Sequence, residues 1–338
     1  MTVVTPVSKA SSLDPDNLAE GVRAGQRRAI ARAITLIEST REDHRQTATA
    51  LIERLLPHTG GAIRLGITGV PGVGKSTFIE AFGLQLTDLG HKVAVLAVDP
   101  SSPRSGGSIL GDKTRMEILS RDPNAFIRPS PSGGSLGGVA RRTREAMLVC
   151  EAAGFDVLII ETVGVGQSET TVADMVDLFM LLLVPGGGDE LQGLKKGIVE
   201  LADLVLVNKA DGDLAAAAER ARRDYANAIH LLTPADPGWT VPVLKCSAVA
   251  GSGLTEVWQA IQDFQQRGQE TGRLPEKRAR QATAWMWAEI GDTLMARFRR
   301  DPAVLHRLET LSQEVSAGRQ TPTMAAEILL SAFVEGSH

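Results

Sequence analysis

Aromatic side chains are scarce in this chain: 4 Trp, 1 Tyr and 8 Phe make up 4% of its 338 residues. So thin a supply argues against a base-stacking platform for nucleic acid. Positive charge is not in surplus either. The formal net charge is −4, and no global basic field draws the chain to nucleic acid or to an anionic lipid surface. Cysteine is limited to Cys150 and Cys246, far apart and in no C-x-x-C pattern, so each reads as a small core residue of a reducing compartment. The six histidines (His44, His58, His91, His230, His306 and His338) are scattered without ligand spacing. No apolar run reaches membrane-spanning length, and the N-terminus lacks an apolar signal core. The expectation is a cytoplasmic protein with no membrane or nucleic-acid partner.

What is present is 43% apolar and 22% charged residues, ordinary for a globular chain of one large or two medium domains. The most informative stretch is AIRLGITGVPGVGKSTF, Ala62 to Phe78. Ile63, Leu65 and Ile67 alternate with small residues as in a buried strand, and Lys75-Ser76-Thr77 open a helix. Between them lies G-x-x-x-x-G-K-[ST] with every fixed position filled: Gly69, Val70, Pro71, Gly72, Val73, Gly74, Lys75, Ser76. Glycines let backbone N–H groups curl around phosphate oxygens, and the helix N-terminus adds partial positive charge. Lys75 is expected to reach the β- and γ-phosphates, and the Ser76 hydroxyl to ligate Mg²⁺.

Residues 1–13 read as a loose tail, and 14–61 as a helical appendage with Leu18, Val22, Ile30, Ala33, Ile34 and Ile37 in one apolar stripe. Leu51, Ile52, Leu55 and Leu56 form a second stripe. Arg23, Arg27, Arg28 and Arg32 lie off these stripes, as a solvated face or a partner-docking face. From 62 to 270 apolar runs alternate with helical patterns: strands near 92–99, 125–130, 156–162, 178–184, 204–209 and 241–248, helices near 75–89, 112–121, 136–153, 213–232 and 254–266. This predicts an α/β, doubly wound, mainly parallel sheet of P-loop type, with ligands at the carboxyl ends of its strands. In 271–338 apolar residues recur at helical spacing, with Trp285, Trp287 and Phe298 close together and a second helix near 324–333. Such a tail either packs on its own domain or pairs with a second copy, and a C-terminal helical dimerisation arm is the favoured reading.

Asn208-Lys209-Ala210-Asp211 closes a predicted strand. Guanine presents N1–H and N2–H₂ donors along one edge, which adenine lacks, and a carboxylate at Asp211 accepts both. Asn208 and Lys209 would buttress the loop and cover the ring. Ser247, Ala248 and Val249, at the end of the next strand, can offer a backbone N–H to guanine O6. Asp99 and Glu161 each end a strand beside the expected phosphates, as Mg²⁺-shell groups or as helix caps. In common GTPases the second site reads Asp-x-x-Gly; here it is Glu161-Thr162-Val163-Gly164, and Val165 stands where a water-orienting Gln is usual. Catalysis of this kind is mostly positioning and charge stabilisation, so slow intrinsic hydrolysis is expected. Gly164 would touch the γ-phosphate. The segment 185–197, with Asp189, Gln192, Lys195 and Lys196, is either a plain exposed loop or a source of the missing groups.

Taken together, the chain resembles the MeaB/ArgK-type GTPases associated with methylmalonyl-CoA mutase. The resemblance rests on RRAIARAITLIES, GVPGVGKST, AVDPSSPRSGGSILGDKTRM, ETVGVGQSE, LLLVPGGGDELQGLKKGI, NKAD and the helical tail, so it covers nearly the whole chain. It implies a homodimeric, GTP-driven chaperone of an adenosylcobalamin-dependent mutase, gating cobalamin delivery and protecting or rescuing the mutase. Cobalamin would enter through the partner, with GTP, GDP and Mg²⁺ bound here. By the same similarity, 100–115 would be a first switch, about 162–175 a second, and 185–197 a third that contacts the mutase. The expected catalytic contacts are then Lys75, Glu161, Gly164, Gln192 and Lys195. Two neighbouring readings stand beside it: an ArgK-type kinase or ATPase linked to amino-acid transport, and a nickel-delivery GTPase, which the scattered histidines disfavour.

Overall fold

The computed structural model describes residues 14–98, 116–129, 136–162, 168–186, 196–230 and 238–336. They form two compact units, one up to Ala279 and one from Arg280 onward.

Seven strands build the first unit: β1 (Ile63–Gly69), β2 (Val93–Val98), β3 (Ala125–Arg128), β4 (Val157–Thr162), β5 (Leu178–Leu183), β6 (Leu204–Val207) and β7 (Val243–Lys245). Their order is β3-β2-β4-β1-β5-β6-β7, and every neighbouring pair is parallel. The reason is in the composition of the strands. β2, β4, β5 and β6 are buried at every position, so both faces must be covered, and parallel strands joined by helices achieve that. One face packs on α4 (Lys75–Asp88), where Phe78, Ile79, Phe82 and Leu86 meet Leu65, Ile67, Val157 and Met180. The other face meets Ile198 and Ala202 around α8 (Lys196–Leu201), and Ala218, Tyr225 and Ile229 of α9 (Ala215–His230). Successive strand residues point to opposite faces, so Leu65 and Ile67 look toward α4 and Gly66 toward the opposite side. There an added Cβ on Gly66 would lie 3.0 Å from Val172 of α7 (Ser168–Ala173).

The N-terminal segment folds as α1 (Pro15–Arg23), α2 (Arg27–Glu38), α3 (Glu42–Leu55) and a short 3₁₀ turn, Leu56–His58. Asp14 caps α1 by accepting from the Asp16 N–H, and Pro15 takes the first turn, where its missing N–H costs nothing. The predicted stripe is buried: Ile30, Ala33, Ile34 and Ile37, with Leu51 and Leu55 on α3. Arg27 is not on a free face. Its guanidinium donates to the carbonyls of Asp122 and Ala125, beside the outermost strand β3, and Arg128 of β3 is ion-paired with Glu38. The appendage thus docks beside a sheet edge that would otherwise be open.

Between β2 and β4 run α5 (Glu117–Arg121) and α6 (Leu136–Ala152), and after β7 comes α10 (Leu254–Glu270). The base of the sheet carries a buried ionic cluster. The Arg64 guanidinium donates to Glu151 at 2.7 Å, and the Arg64 N–H to Asp177 Oδ2 at 2.9 Å. Arg278 grips the same Asp177 with two hydrogen bonds of 2.8 and 2.6 Å, and also donates to the Gly60 and Ala62 carbonyls. Beside it, burial pushes the Asp203 carboxyl above its ordinary range, opposed by Lys277 at 3.8 Å.

Helix α11 (Arg273–Arg300) runs across the sequence boundary between the units, with Pro275 tolerated in its first turn. The second unit continues with α12 (Pro302–Ser316) and α13 (Pro322–Gly336). Asp301 caps α12 by accepting from the Ala303 and Val304 N–H groups. Val304, Leu311, Ala325 and Ala332 are buried, and Phe298 meets Phe333 edge-on at 5.5 Å. Sequence periodicity had not separated α7, α8 and α12 from their surroundings. The strand expected over 241–248 is confined to Val243–Lys245, and the helix expected at 254 runs on to Glu270.

Candidate nucleotide site

The carboxyl ends of β4, β1, β5, β6 and β7 lie side by side in that order, and the predicted motifs follow them. At the end of β1 the chain turns through Gly69–Gly74 into α4. Two glycines there are dictated by geometry. A Cβ on Gly69 would fall 2.6 Å from the Leu182 carbonyl, and one on Gly74 would fall 2.8 Å from Asn208 Nδ2, at a φ of +93°. Gly72, in contrast, faces open space, leaving the loop backbone free to be approached. Lys75 is buried, and its Nζ donates to the Gly69 carbonyl at 2.7 Å, across the mouth of the loop. A helix start whose cap residue, Gly74, has no side chain therefore meets a cation at one point, an arrangement suited to phosphate oxygens.

β4 lies directly beside β1, with Ile67 paired to Glu161. Glu161 therefore emerges on the α4 face, and its Oε1 accepts from the Ser76 hydroxyl at 3.4 Å. Two hard oxygen groups converge next to the loop, the donor set a hydrated Mg²⁺ prefers. On the opposite face the buried Thr162 hydroxyl lies 2.9 Å from the Thr68 hydroxyl, a contact that motif reading alone had missed. Its only sequence signal is a threonine directly before Gly69 and another within Glu161-Thr162-Val163-Gly164.

The other half of the site hangs on β6 and β7. Asn208 is buried, and its side chain ties two loops together. Nδ2 donates to the Val73 carbonyl at 3.0 Å, and Oδ1 accepts from the Ala248 N–H at 3.3 Å. Lys209 sits at φ +59°, the sole positive-φ non-glycine among the described residues, and its Nζ donates to the Gly72 carbonyl at 2.8 Å. Holding a non-glycine there costs on the order of 1 kcal/mol, so the surroundings enforce it. Asp211 is exposed at the start of a 3₁₀ turn, Gly212–Leu214. Ser247 is fully buried: its N–H donates to Ser252 O, and its hydroxyl accepts from the Ala250 N–H. Val249 stands out, 83% exposed. Burial pushes the Cys246 thiol up to about 12, so that side chain is packing and not a nucleophile.

The structure therefore brings together Gly69–Thr77, Glu161, Asn208, Lys209, Asp211 and Ser247–Val249 along one edge of the sheet. Asp99, Gly164, Gln192 and Lys195 lie outside the described residues, as do 100–115, 163–167 and 187–195 of the three expected switch segments.

A strand–loop–helix phosphate cradle, with a strand-end carboxylate and an NKxD loop tied to it, defines a P-loop GTPase. Comparison with known proteins narrows the class. The sequence pattern of the family described as methylmalonyl-CoA mutase-associated GTPase MeaB matches residues 30–303. A Caulobacter vibrioides protein described as a GTPase is 60% identical over 322 residues, 95% of this chain and 98% of that one. The mitochondrial methylmalonic aciduria type A homolog of Mus musculus is 48% identical over 328 residues, 94% of this chain and 79% of its own. The crystal structure of an LAO/AO transport system kinase is 37% identical, with a TM-score of 0.74 over 99% of this chain and 100% of that one. The chain belongs to the MeaB family of GTPases. It binds guanine nucleotide and hydrolyses GTP.

Proposed function

We propose that this GTPase is a chaperone for an adenosylcobalamin-dependent acyl-CoA mutase, methylmalonyl-CoA mutase in the first instance. In this reading it gates cofactor delivery and protects or reactivates the mutase. The observation that carries the partner is the family match over residues 30–303, whose description is mutase-associated. Cobalamin enters the reading through the partner.

Within the site, Lys75 and the loop N–H groups hold the β- and γ-phosphates. Ser76 and Glu161, 3.4 Å apart, would hold Mg²⁺. Asp99 completes that shell, and Gly164, Gln192 and Lys195 supply contacts in the GTP state. Mg²⁺ would supply charge neutralisation on the phosphate oxygens. Asp211 reads the guanine edge, Lys209 covers the ring, and the Ser247–Val249 turn faces O6. Asn208 makes the base end and the phosphate end one rigid body, since its side chain joins Val73 to Ala248. The second unit supports a homodimer: Met286, Ile290 and Leu294 recur every fourth residue along α11 and are exposed, with Trp287 64% exposed beside them.

The transport-kinase name of the 37% identical structure raises an ATP-using reading. Adenine has no paired donors for Asp211, which favours guanine. The test is Asp211→Asn. An amide both accepts and donates, so it fits xanthine, which has a carbonyl where guanine has its amino group. GTP affinity is expected to fall at least about a hundredfold and xanthosine triphosphate affinity to rise, by nucleotide titration. Unchanged GTP affinity in that variant would refute the base assignment.

A further inference from the structure

We propose that the buried Thr68–Thr162 pair is a positioning device for GTP hydrolysis, setting the aim of Glu161 toward Ser76. The backbone register between β1 and β4 ends at Ile67 and Glu161. One residue further on, β1 pairs on its other side with β5, Thr68 against Leu181, and the phosphate loop begins at the next residue, Gly69. β4 at that level is paired with β2, Val98 against Thr162. The two strands that carry the phosphate loop and the acidic residue are thus joined past their last registered pair through the Thr162 hydroxyl. The Thr162 hydroxyl lies 2.9 Å from Thr68 Oγ1, with the Ile67 carbonyl farther off at 3.5 Å.

Both threonines are sealed from solvent, at 2% and 0% exposure, on the sheet face opposite α4. That placement gives the bond its leverage. Neighbouring residues of a strand project to opposite faces, so a fixed Thr162 fixes the pleat that aims Glu161 at the other face. Catalysis by positioning loses about a hundredfold for a displacement of about 1 Å. A sub-ångström slip of β4 against β1 would change the 3.4 Å separation of Ser76 and Glu161 without unfolding either element. The pair touches no reacting atom. It rests on the reading of Ser76 and Glu161 as the metal-shell groups.

Threonine and valine have the same shape, so the hydroxyls can be removed with the packing kept. Thr68→Val and Thr162→Val are each expected to lower kcat about tenfold, with GDP affinity held within about twofold. The double variant should lower kcat no further than either single change, because the pair acts as one unit. Thr162→Ser should keep kcat within about twofold of wild type. Thermal midpoints of the nucleotide-free, metal-free protein separate this role from a structural one. Thr162→Val takes the donor away from the buried Thr68 hydroxyl, and Thr68→Val leaves the Thr162 hydroxyl only the longer bond to the Ile67 carbonyl, so each lowers Tm, whereas the double change leaves neither hydroxyl and returns Tm toward wild type. A positioning role leaves the double variant stable and slow. Recovery of kcat together with Tm, wild-type kcat in the valine variants, or GDP affinity lost in step with kcat would each overturn it. Glu161→Gln in the same assay reports on the metal-shell reading separately: wild-type turnover there refutes that reading whatever the threonines do.

Discussion

Gly74 shows how closely the two halves of the site are fitted. Its φ of +93° is a conformation that side chains resist, and the space a Cβ needs is held by Asn208 Nδ2 at 2.8 Å. Gly74→Ala therefore meets both backbone strain and a clash with the group that ties the loops together. Strain of about 1–3 kcal/mol predicts roughly a five- to hundredfold loss of GDP affinity, measured with a fluorescent GDP. The position was legible in the sequence because a phosphate loop needs a glycine before its lysine. Asn208 was legible as a member of NKxD, but its two partners were not: Val73 and Ala248 lie 135 and 40 residues away. The same holds for Thr68 and Thr162, 94 residues apart and joined only by strand order. The motif names the residue; the topology chooses its partner.

At the scale of elements, strands buried on both faces were the plainest signal, since only a covered parallel sheet accommodates runs such as Leu178–Leu183. Short helices were the least legible. α7 and α8 have six residues each, too few for a helical period to repeat twice. The base-of-sheet cluster was also hidden, because Arg64, Glu151, Asp177 and Arg278 come from four separate segments. It nonetheless has a measurable weight. Asp177 is 2% exposed and accepts two hydrogen bonds from Arg278. Arg278→Ala leaves that carboxylate short of its partner, and a broken buried pair costs on the order of 3 kcal/mol. Urea unfolding of the variant should show a loss of that size, reduced in Arg278→Ala/Asp177→Asn, where the buried charge has been removed as well. An unchanged midpoint in the single variant would remove the cluster from the account of stability.

Over the whole molecule, the two units are assigned different tasks, nucleotide turnover and the proposed dimerisation. The first holds the nucleotide machinery. The second buries Val304, Leu311, Ala325 and Ala332, yet exposes Trp287 and Leu294 at 64% and 52%. Those faces are the proposed dimer surface. Trp287→Asp/Leu294→Asp is expected to yield a monomer by light scattering, with intrinsic GTP turnover within about twofold of wild type. A variant that stays dimeric would move the interface elsewhere. Among the described residues no helix is long and apolar enough to cross a membrane.

The proposed coupling of nucleotide turnover to a cobalamin-dependent mutase can be tested directly. The direct measurement is steady-state hydrolysis of GTP and ATP by the purified full chain, with and without purified methylmalonyl-CoA mutase. The expected result is slow turnover of GTP alone, negligible turnover of ATP, and a rise in GTP turnover when the mutase is added. GTP turnover that does not respond to the mutase would contradict the partner assignment, and ATP turnover equal to that of GTP would contradict the base assignment at Asp211.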